Sequence, residues 1–99
     1  MKTALGALAI ALGVLSGARA ADVVKGGELY RLHCAGCHGN DGRPVMPHAP
    51  DFSRPTALLK PDLVLLGAIR SGRGAMPAYQ GQLRDREILD IVAHLRTLR

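Results

Sequence analysis

The C-terminal end of the chain shows the clearest pattern of apolar and polar positions. Within residues 85–98, apolar side chains recur at the i, i+3, i+4, i+7 spacing of one helix face: Ile88, Ile91, Val92, Leu95 and Leu98. Acidic residues come early in this segment and arginines come late, which the helix dipole favours. The pattern therefore predicts a helix over residues 85–98.

Residues 22–34 show a second helical pattern. Asp22 can cap this helix, and the positions at the helical period are Val23, Gly26, Leu29, Tyr30 and His33. The glycine pair at 26–27 lowers helix propensity. Glycine at these positions therefore predicts the close approach of another backbone.

Residues 61–71 form a third predicted helix. Pro61 suits the first helical position, and Gly72 suits the position just after the C-terminal end. The apolar stripe of this segment consists of Leu63, Leu65, Leu66 and Ile69.

Residues 39–61 interrupt these helices. Five prolines rule out a sustained helix or a central strand there: Pro44, Pro47, Pro50, Pro55 and Pro61. The segment also offers apolar groups for burial: Val45, Met46, Phe52, Leu58 and Leu59. Since no alternating strand pattern occurs anywhere, we predict an all-α fold of three main helices with a long Pro-rich loop.

The N-terminal residues predict export. A positive start, an apolar run and the sequence Ala18-Arg19-Ala20 are typical of a secretory signal peptide, with cleavage expected between Ala20 and Ala21. An uncleaved membrane anchor is the alternative, but the run is shorter than the roughly 20 apolar residues of a spanning helix. We therefore expect a signal peptide over residues 1–20, one domain over residues 21–99, and no membrane span after cleavage.

Charge narrows the choice of partners. Residues 21–99 carry eleven basic and eight acidic side chains. This mild positive excess suits a partner with an acidic docking face. Nucleic acid is a poor candidate, because no basic run with interleaved aromatic residues occurs.

Residues 34–38 carry the chemistry. The sequence Cys34-Ala35-Gly36-Cys37-His38 is the attachment signature of a c-type haem. Positions i and i+3 lie on one helix face, so both thiols can reach the two vinyl groups of one porphyrin, and His38 can ligate the iron. A thioredoxin-type pair would need a βαβ context, and a zinc site would need four ligands at metal spacing. Neither pattern is present.

A second axial ligand is expected from a methionine, because a thioether is the common partner of histidine in haem electron carriers. After signal cleavage only Met46 and Met76 remain. Met76 is favoured because neighbouring glycines let the backbone pass close to a porphyrin and Pro77 fixes the chain direction. Met46 is read as a buried loop residue, and His48 is a distant third candidate.

The motifs together resemble those of a small bacterial single-haem class I cytochrome c. The resemblance covers residues 26–98 and rests on Gly26-x-x-x-Tyr30-x-x-x-Cys34-x-x-Cys37-His38-Gly39, Pro50-Asp51-Phe52, Ile69-Arg70-x-Gly72-x-Gly74-x-Met76-Pro77 and the segment from Ile88 to Leu98. It implies a cytochrome c fold around one covalently attached haem c.

The resemblance also implies roles for single residues. The first helix would cross the last one at Gly26 and Tyr30, and Met76 would be the axial methionine. The carbonyl of Pro50 would accept the ring N–H of His38, with Phe52 in the haem environment. Relatives usually cap the last helix with Ser or Thr where this chain has Arg84, so Asp85 is the alternative cap. His94 replaces a common aromatic residue.

The expected function is single-electron transfer in the bacterial periplasm, with His38 and Met76 as iron ligands and without enzymatic catalysis. The partners would be redox proteins, and the chain would be a monomer. Two alternatives stay open. One is a haem subunit docked on a larger reductase or oxidase through the loop around Met46 and Phe52. The other is a ligand-binding haem sensor with a labile sixth coordination site.

Overall fold

A computed structural model describes residues 20–99, so the predicted signal peptide lies outside the described residues except for Ala20. Four α-helices follow one another: α1 (Val23–His33), α2 (Ala35–His38), α3 (Asp62–Ser71) and α4 (Asp85–Leu95), with a 3₁₀ helix (Pro55–Leu58) before α3. Residues 20–99 contain two isolated β-bridges and no strand. The all-α prediction is confirmed, with α2 added to the three main helices.

Local sequence explains where the helices begin and end. The side chain of Asp22 accepts a hydrogen bond from the Lys25 N–H at 3.0 Å and caps α1, as predicted. Gly72 ends α3 with a φ of 69°, and its N–H donates to the Ala68 carbonyl at 2.9 Å. Pro61 is the N-cap rather than the first residue of α3, because its extended ψ of 155° keeps it outside the helix.

The last helix departs from the prediction at both ends. Its N-cap is Arg84 and not Asp85, and the carboxylate of Glu87 accepts the Arg84 N–H at 2.9 Å. Arginine has no side-chain acceptor, so only this half of a capping box exists. The helix ends at Leu95 rather than at residue 98. Just after this end, the hydroxyl and the N–H of Thr97 both donate to the His94 carbonyl.

Helices α1 and α4 cross at Gly26. A Cβ built on Gly26 would collide with the carbonyl group of Asp90 in α4. The predicted close approach of another backbone is therefore confirmed at Gly26, and it explains a glycine that lowers helix propensity. At Gly27 the nearest atoms belong to side chains, so the prediction is wrong there. The crossing buries Tyr30, Ile88, Ile91 and Val92 almost completely.

The hydrophobic core extends from this crossing to α3 and to the segment before α4. Its other buried members are Leu29, Leu58, Leu66, Ile69, Tyr79, Leu83 and Leu95. Residues 39–61 contain turns, bends and the 3₁₀ helix. Within residues 20–99, no helix is both long and apolar enough to cross a membrane.

Candidate haem-binding site

Helix α2 forms the turn that carries both cysteines. Cys34 stands between α1 and α2, and its carbonyl accepts the N–H groups of Cys37 at 3.2 Å and His38 at 3.0 Å. The break at Cys34, whose φ is −117°, ends α1 one residue earlier than predicted. Cys34 is half-buried, Cys37 is exposed, and neither forms a disulfide. Both thiols are therefore free for a covalent bond to a ligand.

The electrostatics of this turn differ from those of a redox dithiol. Burial, followed by the neighbouring Cys37, raises the pKa of Cys34 to about 11. Redox-active Cys-x-x-Cys pairs have a lowered thiol pKa instead. The environment of Cys34 therefore gives no support to a thioredoxin-type activity.

His38 is buried beside this turn, with 9% of its surface exposed. Its ring stacks on Phe52 with centroids 4.7 Å apart and planes 24° apart. Burial lowers the pKa of His38, while the nearby Pro50 carbonyl opposes that shift. Nδ1 nevertheless has no hydrogen bond of good geometry. The Pro50 carbonyl therefore lies near the imidazole without completing a hydrogen bond to Nδ1.

Backbone bonds hold the following loop against the same turn. The N–H groups of Val45 and Met46 both donate to the Cys37 carbonyl, at 2.9 and 3.0 Å. Gly39 ends α2 with a φ of 79°, and its carbonyl accepts the hydroxyl of Tyr30 at 2.6 Å. Burial, then Cys34 and Asp41, raise the pKa of Tyr30 to about 12. Of the predicted site residues, the structure brings His38, Pro50 and Phe52 together, through the ring stacking and the Pro50 carbonyl described above.

Met76 lies on a separate loop. Arg73 and Met76 exchange both backbone hydrogen bonds, at 3.0 and 2.9 Å, and the Met76 side chain packs partly buried against the core. A Cβ at Gly72 would lie 2.7 Å from the Met76 carbonyl oxygen, so only glycine fits this turn. Met46, by contrast, is 37% exposed, so the prediction that it is a buried loop residue is wrong.

Two contacts of this region were not evident from the sequence. The hydroxyl of Tyr79 donates to the His33 carbonyl at 2.9 Å, and the His33 ring meets the Tyr79 ring edge-on at 5.8 Å. His33 is therefore half-buried. Neither contact has a local sequence signal, because the two residues are 46 positions apart.

One cavity of about 420 Å³ lies elsewhere. Its lining comes from the 3₁₀ helix, the start of α3 and the C-terminal end: Pro55, Leu58, Leu59, Lys60, Pro61, Arg96 and Arg99. None of the five residues 34–38 contributes to it. We therefore assign the candidate site to α2 and its surroundings and not to this cavity.

The residues present fit a c-type haem. Two unpaired thiols stand three positions apart on one turn, and the next residue is a buried imidazole with an unpartnered nitrogen. Within residues 20–99, no cluster of three or more histidine, cysteine or acidic side chains could hold a metal ion by itself. Two thiols and one imidazole match the two thioether bonds and one axial ligand of a c-type haem.

An all-α fold built around such a turn defines the class of single-haem c-type cytochromes. Residues 21–95 match the family model described as cytochrome C oxidase, cbb3-type, subunit III. The chain belongs to this family. Its resemblance to monohaem class I cytochromes is thereby confirmed.

Curated relatives and a solved structure agree. Cytochrome c6 of Picosynechococcus sp. is 32% identical over 112 residues, covering 89% of this chain and 89% of the relative. Cytochrome c6 of Thermosynechococcus vestitus is 28% identical over 92 residues, covering 90% and 81%. The solved structure of the KustC0563 c-type cytochrome superposes with a TM-score of 0.70 at 26% identity, covering 75% of this chain and 96% of that chain.

Family membership establishes the general activity. The chain is a cytochrome c6-like electron carrier and not an enzyme, and the family implies a c-type haem and electron-transfer partners.

Proposed function

We propose that the chain is a periplasmic single-electron carrier with one haem c attached through Cys34 and Cys37 and with His38 and Met76 as axial iron ligands. The observation that carries this proposal is the buried imidazole of His38 directly after two unpaired thiols. When bound, the haem iron would supply the one-electron couple between its ferric and ferrous states.

Cys34 and Cys37 hold the cofactor in this proposal. The hydrogen bonds from residues 37 and 38 to the Cys34 carbonyl keep the turn in one conformation. A fixed turn presents both thiols together and reduces the conformational entropy lost on attachment. The hydroxyl of Tyr30 binds the end of the same turn through Gly39, which holds it against the α1–α4 crossing.

Pro50 and Phe52 orient the histidine. The Pro50 carbonyl would accept the Nδ1 proton of His38, which leaves Nε2 free for the iron. The stacked ring of Phe52 restricts rotation of the imidazole and excludes water from one of its faces. His38 Nδ1 is buried and has no other hydrogen-bond partner in the described part of the chain. Since a buried N–H normally has an acceptor, the nearby Pro50 carbonyl is the group that would fill this position.

Met76 is the second axial ligand in this proposal. Its tight turn with Arg73 and its packing against the core restrict the side chain, as a ligand of defined geometry requires. Met46 lies closer to His38 in sequence, but it is more exposed. A thioether ligand favours the ferrous state and raises the reduction potential.

The location and partners follow from the N-terminal residues and the charge. Residues 1–20 would act as a signal peptide that is removed after export, leaving residues 21–99 as a monomeric domain in the periplasm. Their net positive charge would favour redox partners with acidic docking faces.

A second candidate function is that of a subunit docked on a larger reductase or oxidase. The family description and the exposed apolar side chain of Val45, 71% exposed beside Met46, favour it. Size-exclusion chromatography of the unfractionated extract, followed by electron-transfer assays on the purified holoprotein, separates the two functions. A monomer that reduces several unrelated redox proteins supports the free carrier, whereas co-elution with a larger oxidase supports the docked subunit.

The visible spectrum of the purified holoprotein tests the site. Met76→Ala should abolish the weak red charge-transfer band of an iron–thioether bond, and the matched variant Met46→Ala should retain it. The reverse result would overturn the ligand assignment. Carbon monoxide binding by the reduced wild-type protein at neutral pH would point to a labile sixth site instead. Intact-mass analysis of Cys34→Ser and Cys37→Ser would report the thioether bonds separately.

A further inference from the structure

Asp90 is a buried carboxylate in the middle of α4, with 4% of its surface exposed. Its Oδ1 accepts the backbone N–H of Asp22 at 2.8 Å. Within residues 20–99 it forms no ion pair with a lysine, arginine or histidine. A buried carboxylate without a cationic partner is costly, because desolvation disfavours its charge. The placement of Asp90 therefore requires an explanation.

The surroundings of Asp90 fix its distance from the start of α1. Gly26 packs on the Asp90 carbonyl, and Asp22 is the N-cap of α1. Asp90 therefore lies beside the N-terminal end of a helix, where the helix dipole already favours a negative charge. The same contacts hold the chain immediately before Asp22 near the carboxylate.

Ala21 is the residue immediately before this contact. Because adjacent residues are about 3.8 Å apart, the nitrogen of Ala21 lies within about 7 Å of Oδ1. In the unprocessed chain this nitrogen is a neutral amide. Hydrolysis of the Ala20–Ala21 bond would consume one water, leave a carboxylate on Ala20 and give Ala21 a positively charged ammonium group at neutral pH.

We propose that Asp90 is the binding site for the processed N-terminus: the α-ammonium group of Ala21 pairs with the Asp90 carboxylate. This inference rests on the proposed cleavage after Ala20. The pair completes the charge balance of the α1–α4 crossing, so processing stabilises the crossing in the exported protein. The unprocessed chain has the buried carboxylate without its cation.

Other charged groups near this contact do not replace the ammonium group. The Asp22 carboxylate is exposed and accepts the Lys25 N–H as the cap of α1. The Glu87 carboxylate accepts the Arg84 N–H. Lys25 on α1 and Arg86 on α4 are exposed. Neither comes within 4 Å of the Asp90 carboxylate.

The test uses the exported holoprotein. Intact mass identifies the first residue and, independently, the attached haem, so failure of the cleavage proposal and failure of the haem proposal are distinguishable. Trace acetylation with acetic anhydride at a series of pH values, read on the N-terminal peptide, then gives the pKa of the Ala21 α-amine. The matched variants are Asp90→Asn and Glu28→Gln, which remove the same charge from α4 and from an exposed position of α1.

In the wild-type and Glu28→Gln proteins, the pKa of the Ala21 α-amine should lie above the ordinary range of about 7.7–8.0. In Asp90→Asn, this pKa should be about one unit lower than in those two proteins. Equal titration of Asp90→Asn and Glu28→Gln would overturn the proposal. A first residue other than Ala21 would also overturn it. If Asp90→Asn does not fold, the wild-type protein decides alone, because an α-amine pKa at or below the ordinary range excludes the pair.

Discussion

The hydroxyl of Tyr79 donates a 2.9 Å hydrogen bond to the carbonyl of His33. His33 is the last residue of α1 and precedes Cys34, whereas Tyr79 follows Met76 by three residues. This bond therefore joins the methionine loop to the segment that carries both cysteines. The Tyr79 ring is buried, and burial raises the pKa of its hydroxyl, so the hydroxyl remains a donor at neutral pH.

Tyr79→Phe should weaken this connection. Loss of one hydrogen bond should lower the free energy of unfolding of the holoprotein by about 1 kcal/mol. If Met76 is the axial ligand, the red charge-transfer band should also disappear at a lower temperature than in the wild type. Guanidinium unfolding and a thermal scan of the band measure the two effects.

Tyr30→Phe is the matched control for that experiment. Its hydroxyl binds Gly39 at the end of α2, and the residue is completely buried. Its removal should destabilise the fold at least as much, because the buried Gly39 carbonyl loses its shorter hydrogen bond and keeps only the Gly42 N–H at 3.2 Å. The informative quantity is the temperature of band loss relative to that of global unfolding, which should fall in Tyr79→Phe and not in Tyr30→Phe. An equal gap between the two temperatures in both variants would contradict a specific link between Tyr79 and the methionine loop.

Local signals were sufficient to predict much of the fold. The Asp22 cap, the Gly72 stop and the periodic apolar face of the last helix depend on neighbouring residues, and the structure has all three. Gly26 indicated a close backbone contact because glycine within a helix is unfavourable without one. The position of its partner, Asp90, required the relative placement of two helices 64 residues apart.

The contacts around the candidate site depend on tertiary structure and could not be predicted in the same way. The motif Cys-x-x-Cys-His indicated the candidate site because one turn holds all three side chains. The hydroxyl bonds of Tyr30 and Tyr79 have no comparable signal, since a tyrosine ring is explained equally well by core packing. The sequence explained Arg96 by the dipole of the last helix. It gave no signal for the hydrogen-bond partners of Arg96, which are more than 30 positions away.

Gly26→Ala should be strongly destabilising. The added Cβ would collide with the backbone carbonyl of Asp90, so the two helices must separate, with a loss of about 3 kcal/mol or more. Gly27→Ala is the matched control. Its Cβ would lie 3.1 Å from His94 Nδ1 and 3.4 Å from an Arg31 nitrogen, and both are side-chain atoms that can move. In denaturant unfolding, Gly26→Ala should lose much more unfolding free energy than Gly27→Ala. Equal losses of unfolding free energy would contradict the backbone contact.

Arg96 connects the irregular segment to the last helix. Its guanidinium donates to the carbonyls of Leu58 and Lys60, each at 2.8 Å, and to the Asp62 carboxylate at 2.7 and 2.9 Å. Arg96→Lys keeps the charge but cannot form this planar fork, so it should lower the free energy of unfolding by about 1–2 kcal/mol. Most of the loss should persist at high salt, because the carbonyl bonds are not screened as ion pairs are.

Arg86→Lys is the control for Arg96, since Arg86 is exposed on the same helix. Its unfolding free energy should stay within about 0.5 kcal/mol of the wild type. A loss in Arg96→Lys that vanishes at high salt would assign the effect to the partly exposed pair with Asp62 instead of to the carbonyls.

His94 should make the fold sensitive to acid. Its ring lies 5.1 Å from the Tyr30 ring, and its Nε2 is buried with no hydrogen-bond partner within the described part of the chain. Burial, assisted by the Arg31 charge, lowers the pKa of His94 in the folded protein. The unfolded chain, with a histidine pKa of about 6.5, therefore binds more protons between the two values. Stability from this group must fall as the pH drops below about 6.5 and level off below the folded pKa.

His94→Gln should remove this pH dependence. In the wild-type holoprotein one proton accounts for a slope of at most about 1.4 kcal/mol per pH unit in the acidic window. The difference in unfolding free energy between His94→Gln and the wild type should therefore shift in favour of the variant as the pH falls from 7.5 to about 5. The exposed His48→Gln provides the control and should track the wild type. A constant difference across this range would show that His94 gains its proton as readily in the folded protein as in the unfolded chain.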